Sequence, residues 1–259
     1  MLGICSLASG SKGNATLIQS DNQAVLIDCG ISCKKLMGKF DELEFDPQKL
    51  NAIFVTHEHG DHISGIRVTA KKLGIPVYAN VMTNQILKSK NKAAEQMTVF
   101  DNGAMIPVGD LVVEPFSVPH DGVDTVAYIV YKDDKKVAVA TDFGFPSQTV
   151  KQKLQNCDAM ILESNYDQQM LMESDRPWSL KQRIMGRHGH LSNEQCLEMM
   201  DSVVHSKMKH LVLGHVSMHA NDYGLVHELA QEKMRQMGLD KEVALSVGHQ
   251  DNITPTIWV

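Results

Sequence analysis

Thr56-His57-Glu58-His59-Gly60-Asp61-His62 follows the apolar run Ala52-Ile53-Phe54-Val55 and places three imidazoles and two carboxylates within six residues. Imidazoles two positions apart on an extended or turning backbone can chelate one cation. The following Asp61 and His62 can face a second. Neutral imidazole and carboxylate suit Zn, and equally Mn or Fe. In a chain of this composition, such a spacing of three His and one Asp arises by chance roughly 0.002 times.

Four more apolar runs end in an ionisable group. Phe-Ser-Val-Pro leads to His120, Val-Ala-Val-Ala-Thr to Asp142, Ala-Met-Ile-Leu to Glu163, and His-Leu-Val-Leu-Gly to His215. Buried strands point such terminal groups into the crevice outside the sheet edge, where α/β proteins bind ligands. Strands often end near polar loops. Five ends that each carry His or a carboxylate favour one shared site.

The remaining pattern is layered α/β. Short apolar or alternating runs at 2–8, 15–19, 24–28, 76–79, 111–118, 125–131, 136–141, 158–163 and 210–214 read as strands. Helix period runs from Ile63 to Leu73 and is ended by Gly74 and Pro76. Ser192-Asn193-Glu194-Gln195 is a capping box opening a helix with Cys196, Met200, Val203 and Val204 on one face, and a further helix is expected near 225–237. No linker or repeat divides the 259 residues, which are expected to form a single domain, 1–259. A 43% hydrophobic and 22% charged composition is that of a soluble globular chain. No apolar run approaches the roughly 20 residues of a membrane span, and Met1–Ser6 lacks the basic start of a signal peptide. Five scattered cysteines, an odd number, fit reduced thiols in a cytoplasm, and Cys29 and Cys33 lack the second pair a thiolate zinc site needs.

The His57–His62 segment after a strand, together with His120, Asp142 in Ala-Thr-Asp-Phe-Gly and His215 in Gly-His-Val-Ser, resembles the signature of the metallo-β-lactamase fold superfamily. The resemblance spans essentially the whole chain and implies an α/β fold, a four-layer αββα sandwich. It implies two divalent metal ions: His57, His59 and His120 on one, Asp61, His62 and His215 on the other, and Asp142 bridging together with a hydroxide. Such a pair lowers the pKa of its water and clamps the reacting and leaving oxygens. The opening Ser6-Leu7-Ala8-Ser9-Gly10-Ser11-Lys12-Gly13-Asn14-Ala15, then Leu162-Glu163-Ser164-Asn165-Tyr166-Asp167 and Gly189-His190-Leu191-Ser192-Asn193, are similar to the bacterial YycJ/WalJ-type metallo-hydrolases, which are related to ribonuclease Z. That likeness implies a catalytic set of Asp61, Glu163 and His190, with the last two as a proton-transfer pair. It also implies hydrolysis of nucleic acid phosphodiesters, as a 5′-3′ DNA exonuclease with the hydroxide as nucleophile.

Charge bears on the substrate. The net charge of −6 is unpromising for nucleic acid on average. Between Arg176 and Asn193, however, Arg176, Lys181, Arg183 and Arg187 occur with no acidic residue, leading into His190. This stretch is either a solvated helix face and loop or a set of phosphate contacts. Ser11 and Asn14, in the Gly-rich turn, are further candidates to line the site. Phe143 and Phe145 are expected to pack beneath it, and His249 is a candidate to approach it. The lysine clusters at 34–39, 71–72 and 88–92 read as solvated faces.

Two other readings share these residues. A thioester hydrolase of the same fold, of the glyoxalase II kind, would use the same metals without needing Glu163, His190 or the basic segment. A metal-stabilised sensor or partner module would need a closed, four-ligand site, which this donor set exceeds.

Overall fold

In the computed structural model, which describes residues 1–259, the chain forms two seven-stranded sheets face to face, with helices on both outer sides. The first sheet takes β1 (Gly3–Ala8), β2 (Ala15–Gln19), β3 (Ala24–Ile27), β4 (Leu50–Phe54), β5 (Val77–Asn80) and β6 (Met97–Phe100). The second takes β7 (Ile106–Val108), β8 (Leu111–Ser117), β9 (Val126–Lys132), β10 (Lys135–Ala140), β11 (Ala159–Glu163), β12 (His210–Gly214) and β13 (Ala244–Val247). The last strand, β14 (Ile257–Trp258), returns to pair with β1, so the orders are β14-β1-β2-β3-β4-β5-β6 and β13-β12-β11-β10-β9-β8-β7. In each sheet an antiparallel half passes into a parallel one, at β3 to β4 and at β10 to β11.

Nine α-helices accompany them: α1 (Cys33–Glu42), α2 (Gly60–Ile63), α3 (Ile66–Leu73), α4 (Val81–Ser89), α5 (Gln148–Leu154), α6 (Gln168–Glu173), α7 (Trp178–Met185), α8 (Asn193–Val203) and α9 (Tyr223–Gln236). The period-2 geometry of strands explains the four layers. On β4, Ala52 and Phe54 face the space between the sheets, while Ile53, and Val55 just beyond the strand, face α1 and α3. On β10, Val137 and Val139 face between the sheets, and Ala138 and Ala140 face α5, α8 and α9. Strands buried on both faces read as continuous apolar runs, which is what made them visible in the sequence. Phe54 and Tyr128, fully buried, meet edge to face at 5.7 Å and join the two sheets.

The expected helix at 63–73 is two helices, α2 and α3. The break falls where the Gly65 N–H turns to the Cys29 carbonyl at 2.8 Å, outside the helix. The capping box at Ser192 forms as expected, with the Ser192 side chain on the Gln195 N–H and the Gln195 side chain on the Ser192 N–H. β6, β7 and β13 carry no clean apolar alternation because they are exposed edges. All five cysteines are free and buried, and no helix is long and apolar enough to cross a membrane.

Candidate metal centre

The parallel strands bring their carboxyl ends to one edge. Asp28 follows β3, Thr56 and His57 follow β4, His120 follows β8, Asp142 follows β10, Glu163 ends β11 and His215 follows β12. Asp28, Asp142 and His215 have φ of +61°, +61° and +55°, a left-handed backbone that disfavours residues with a Cβ. Three such residues around one crevice are held there by the surrounding structure, as at other functional sites.

The donors converge in four overlapping groups, each with ligand atoms within 4.8 Å of one another: His57, His59 and His120; His57, His62 and Asp142; Asp61, His62 and His215; and Asp142, Glu163, His190 and His215. Most of the imidazoles are oriented from behind through Nδ1. His62 Nδ1 donates to Asp28 Oδ2 at 2.7 Å and His120 Nδ1 to the Gly189 carbonyl at 2.9 Å. His215 Nδ1 donates to Glu163 Oε1 at 2.8 Å, and His57 Nδ1 meets Thr56 Oγ1 at 2.9 Å. Thr56 in turn donates both its hydroxyl and its N–H to Asp28, at 2.8 Å each. One buried carboxylate therefore positions two imidazoles, one directly and one through a hydroxyl. This arrangement turns the Nε2 atoms toward the common centre.

Three buried donor atoms there, His57 Nε2, His215 Nε2 and Asp142 Oδ2, have no hydrogen-bond partner. Orphaned buried polar atoms are rare and costly, so a converging set of them fits a cation. The electrostatics agree with densely packed donors. Burial and the neighbouring His62 hold His57 well below the usual imidazole range. Burial opposes a charge on His215, but Asp142, Asp61 and Glu163 outweigh it and push the group up to about 10. Burial likewise opposes the Glu163 carboxylate, yet His190 and His215 bring it down to about 2.

Glu163 holds a second histidine. His190 Nδ1 donates to Glu163 Oε1 at 2.8 Å, while Glu163 Oε2 accepts the Phe143 and Leu191 N–H groups at 3.0 and 3.2 Å. The carboxylate is thus fixed by four donors, and His190 keeps Nε2 free.

The remaining sequence candidates divide. Asn14 joins the centre: its Oδ1 accepts the Gly10 N–H at 2.8 Å, and its Nδ2 lies 3.1 Å from His62 Nε2 and 3.4 Å from Asp61 Oδ2. Ser11 is exposed on the same turn, with no hydrogen bond to the donors. Arg176 and Arg183 line a cavity of about 170 Å³ together with Asp121, Gly189 and His190. Arg183 pairs with Asp121, whose other oxygen lies 3.4 Å from both His59 Nε2 and His120 Nε2. Lys181 corrects the expectation of a phosphate contact: it is buried and its Nζ donates to the Met172 carbonyl at 2.6 Å, capping a neighbouring turn. Phe143 is fully buried as expected, but Phe145 is 36% exposed, and the Arg187 guanidinium lies 4.0 Å from its ring centroid. His249 stacks on Tyr223 at 4.1 Å and belongs to none of the donor groups.

Asp28 and Asp121 were not among the sequence candidates. The signal for Asp28 was present, since Ala-Val-Leu-Ile-Asp28 is another apolar run ending in a carboxylate. Asp121 carries no signal beyond standing next to His120.

The sequence profile of the beta-lactamase superfamily domain matches residues 23–216. The exodeoxyribonuclease WalJ of Streptococcus pneumoniae is 36% identical over 245 residues, covering 93% of this chain and 91% of that protein. The exodeoxyribonuclease YycJ of Bacillus anthracis is 34% identical over 252 residues, covering 96% of each. Among solved structures, the metallo-β-lactamase fold protein YhfI of Bacillus subtilis superposes with a TM-score of 0.71 at 17% identity, over 98% of this chain and 99% of that one, a likeness of fold.

Proposed function

Because this chain belongs to the β-lactamase superfamily, and to the family of the WalJ and YycJ exodeoxyribonucleases over nearly its whole length, we propose that it is a metal-dependent nuclease, a 5′-3′ exonuclease on DNA. The observation that carries the reading to phosphodiester chemistry is the Glu163–His190 hydrogen bond beside the metal donors. A thioester hydrolase has no need of that pair, whereas a nucleotide leaving group needs a proton.

Two divalent ions would be held by His57, His59 and His120 and by Asp61, His62 and His215, with Asp142 as a further carboxylate ligand. When bound, they would lower the pKa of water and neutralise phosphate oxygens. The protein's own part is positional and electrostatic. Asp28, Thr56 and the Gly189 carbonyl fix the tautomers of His62, His57 and His120. Glu163, kept ionised by His190 and His215, accepts from His190 Nδ1–H and would steady the doubly protonated ring that takes up the proton released by the attacking water and gives it from Nε2 to the leaving oxygen. Arg176 and Arg183 put guanidinium charge in the cavity that His190 lines.

The test is a panel of end-labelled and internally labelled DNA, RNA and a glutathione thioester, incubated with the purified protein in Zn, Mn and EDTA. Mononucleotide release from DNA 5′ ends with metal, and none in EDTA, is the expected result. Rapid thioester hydrolysis with nucleic acid left intact would overturn the reading.

A further inference from the structure

His57, His62, His120 and His215 are held from behind through Nδ1, but His59 is turned the other way. Its Nδ1 lies 3.4 Å from His120 Nε2, within the donor group it shares with His57 and His120. Its Nε2 instead faces Asp121 Oδ1 at 3.4 Å. That oxygen is also 3.4 Å from His120 Nε2, and the His120 ring carries its proton on Nδ1, given to the Gly189 carbonyl. A carboxylate oxygen is repelled by an imidazole lone pair and attracted by an N–H. With His120 protonated on Nδ1, the proton that favours this contact sits on His59 Nε2, which leaves the His59 Nδ1 lone pair for a cation. Asp121 itself belongs to none of the donor groups.

The position of Asp121 is built. Glu58, between His57 and His59, reaches away from the donors, and its Oε1 accepts the Val123 N–H at 3.0 Å. Asn80 Nδ2 donates to the Asp124 carbonyl at 2.6 Å, and Asn102 Nδ2 to the Asp124 carboxylate at 2.9 Å. Gly122 lets the loop close on the motif, since a Cβ there would lie 3.1 Å from the His57 Cβ. The His-Glu-His segment and the loop after His120 are thus one unit, and it carries the Asp121 side chain, which is 24% exposed. The second oxygen of Asp121 pairs with Arg183 Nε, on α7, beside the cavity that His190 lines. We infer that Asp121 is a positioning residue for the ion at His57, His59 and His120: it keeps the His59 proton on Nε2, frees Nδ1 for the metal, and is steadied by Arg183. This inference rests on the two-ion reading and ties a guanidinium of the substrate cavity to the retention of one ion.

The test reads zinc affinity without substrate, by competition with a chromogenic chelator, in wild type, Asp121→Ala, Asp121→Asn, Arg183→Met and the Asp121→Ala/Arg183→Met double variant. Asp121→Ala is expected to weaken one of two zinc ions about tenfold and leave the other unmoved. Asp121→Asn keeps an acceptor oxygen for His59 Nε2–H and should recover most of that loss. Arg183→Met should weaken the same ion about threefold in the wild-type background and not at all in Asp121→Ala, as members of one chain do. Equal affinities in wild type and Asp121→Ala overturn the inference. So does equal weakening of both ions, the mark of a loosened fold, or an Asp121→Asn as weak as Asp121→Ala, the mark of charge alone. Effects of Asp121→Ala and Arg183→Met that multiply overturn the link to Arg183. A single bound zinc, weakened by Asp121→Ala, supports the positioning role and sinks the two-ion reading, whereas two zinc ions indifferent to Asp121→Ala do the reverse.

Discussion

Glu163 Oε1 accepts hydrogen bonds from both His190 Nδ1 and His215 Nδ1, each at 2.8 Å. One carboxylate oxygen thus couples a proposed metal ligand to the proposed proton donor. His190→Ala is expected to keep its metal content and lose about 100-fold or more in turnover. Glu163→Gln should lose turnover similarly and also weaken metal binding about tenfold, because it also serves His215. Metal analysis alongside kcat separates the two. The double variant should be little worse than the worse single, since the pair acts as a unit. Full activity in metal-loaded His190→Ala would remove the residue from the mechanism.

Asp28 is expected to matter for metal retention although it is no proposed ligand. Asp28→Ala strips the acceptor from His62, from the Thr56 hydroxyl and from the Thr56 N–H. Metal affinity should fall about 10- to 100-fold, measured by competition with a chromogenic chelator. The unsatisfied buried N–H adds about 1–3 kcal/mol of destabilisation. Unchanged affinity would show that His62 needs no orienting partner.

Gly30→Ala tests the packing under the motif. The added methyl would lie 1.6 Å from the Asp61 carbonyl oxygen and 2.6 Å from the Asn14 nitrogen, both backbone atoms that cannot swing away. Displacing the Asp61–His62 turn should cost about 3 kcal/mol in urea unfolding, at the severe end for one substitution, and should lower metal content too. A variant within about 0.5 kcal/mol of wild type, the range of innocuous surface changes, would contradict the contact.

Glu114 supplies a pH dependence away from the centre. Burial favours its neutral form, but Lys153 and the Tyr131 hydroxyl, at 2.7 Å from Oε2, outweigh this and hold it below its ordinary value of 4.5. A depressed folded-state pKa stabilises the protein above the unfolded value, and that contribution is lost as pH falls from about 4.5 through the lower folded value. Glu114→Gln should therefore be about 1 kcal/mol less stable at pH 7, allowing for the partly exposed lysine. The gap from wild type should close as the pH drops below about 4.5, in chemical denaturation at a series of pH values. A gap that stays constant down to pH 2 would exclude the linkage.

How far the site was legible in the sequence depends on distance along the chain. The donors could be read because each lies directly after an apolar run, and because residue type alone gives the chemistry of a ligand. Burial on both sheet faces wrote those runs plainly. Edge strands such as β6 and β13, half exposed, left no comparable trace.

Lys181 and Phe145 mark where such reading ended. Both belong to segments whose composition suggested one role and whose packing gives another. Lys181 is spent on the carbonyl of Met172, nine residues away. Arg183 reaches across 62 positions to Asp121, and Phe145 is left partly exposed with the Arg187 guanidinium over its ring. The residue types and their strand-end placement, and with them the donor chemistry, were determined by the sequence alone. Which charge is paired, which ring is exposed and which carboxylate stands behind which imidazole were decided only by the tertiary structure. The physical reason is that periodicity and ligand type are properties of adjacent residues, whereas desolvation and hydrogen-bond partnership depend on groups that the fold brings in from elsewhere in the chain.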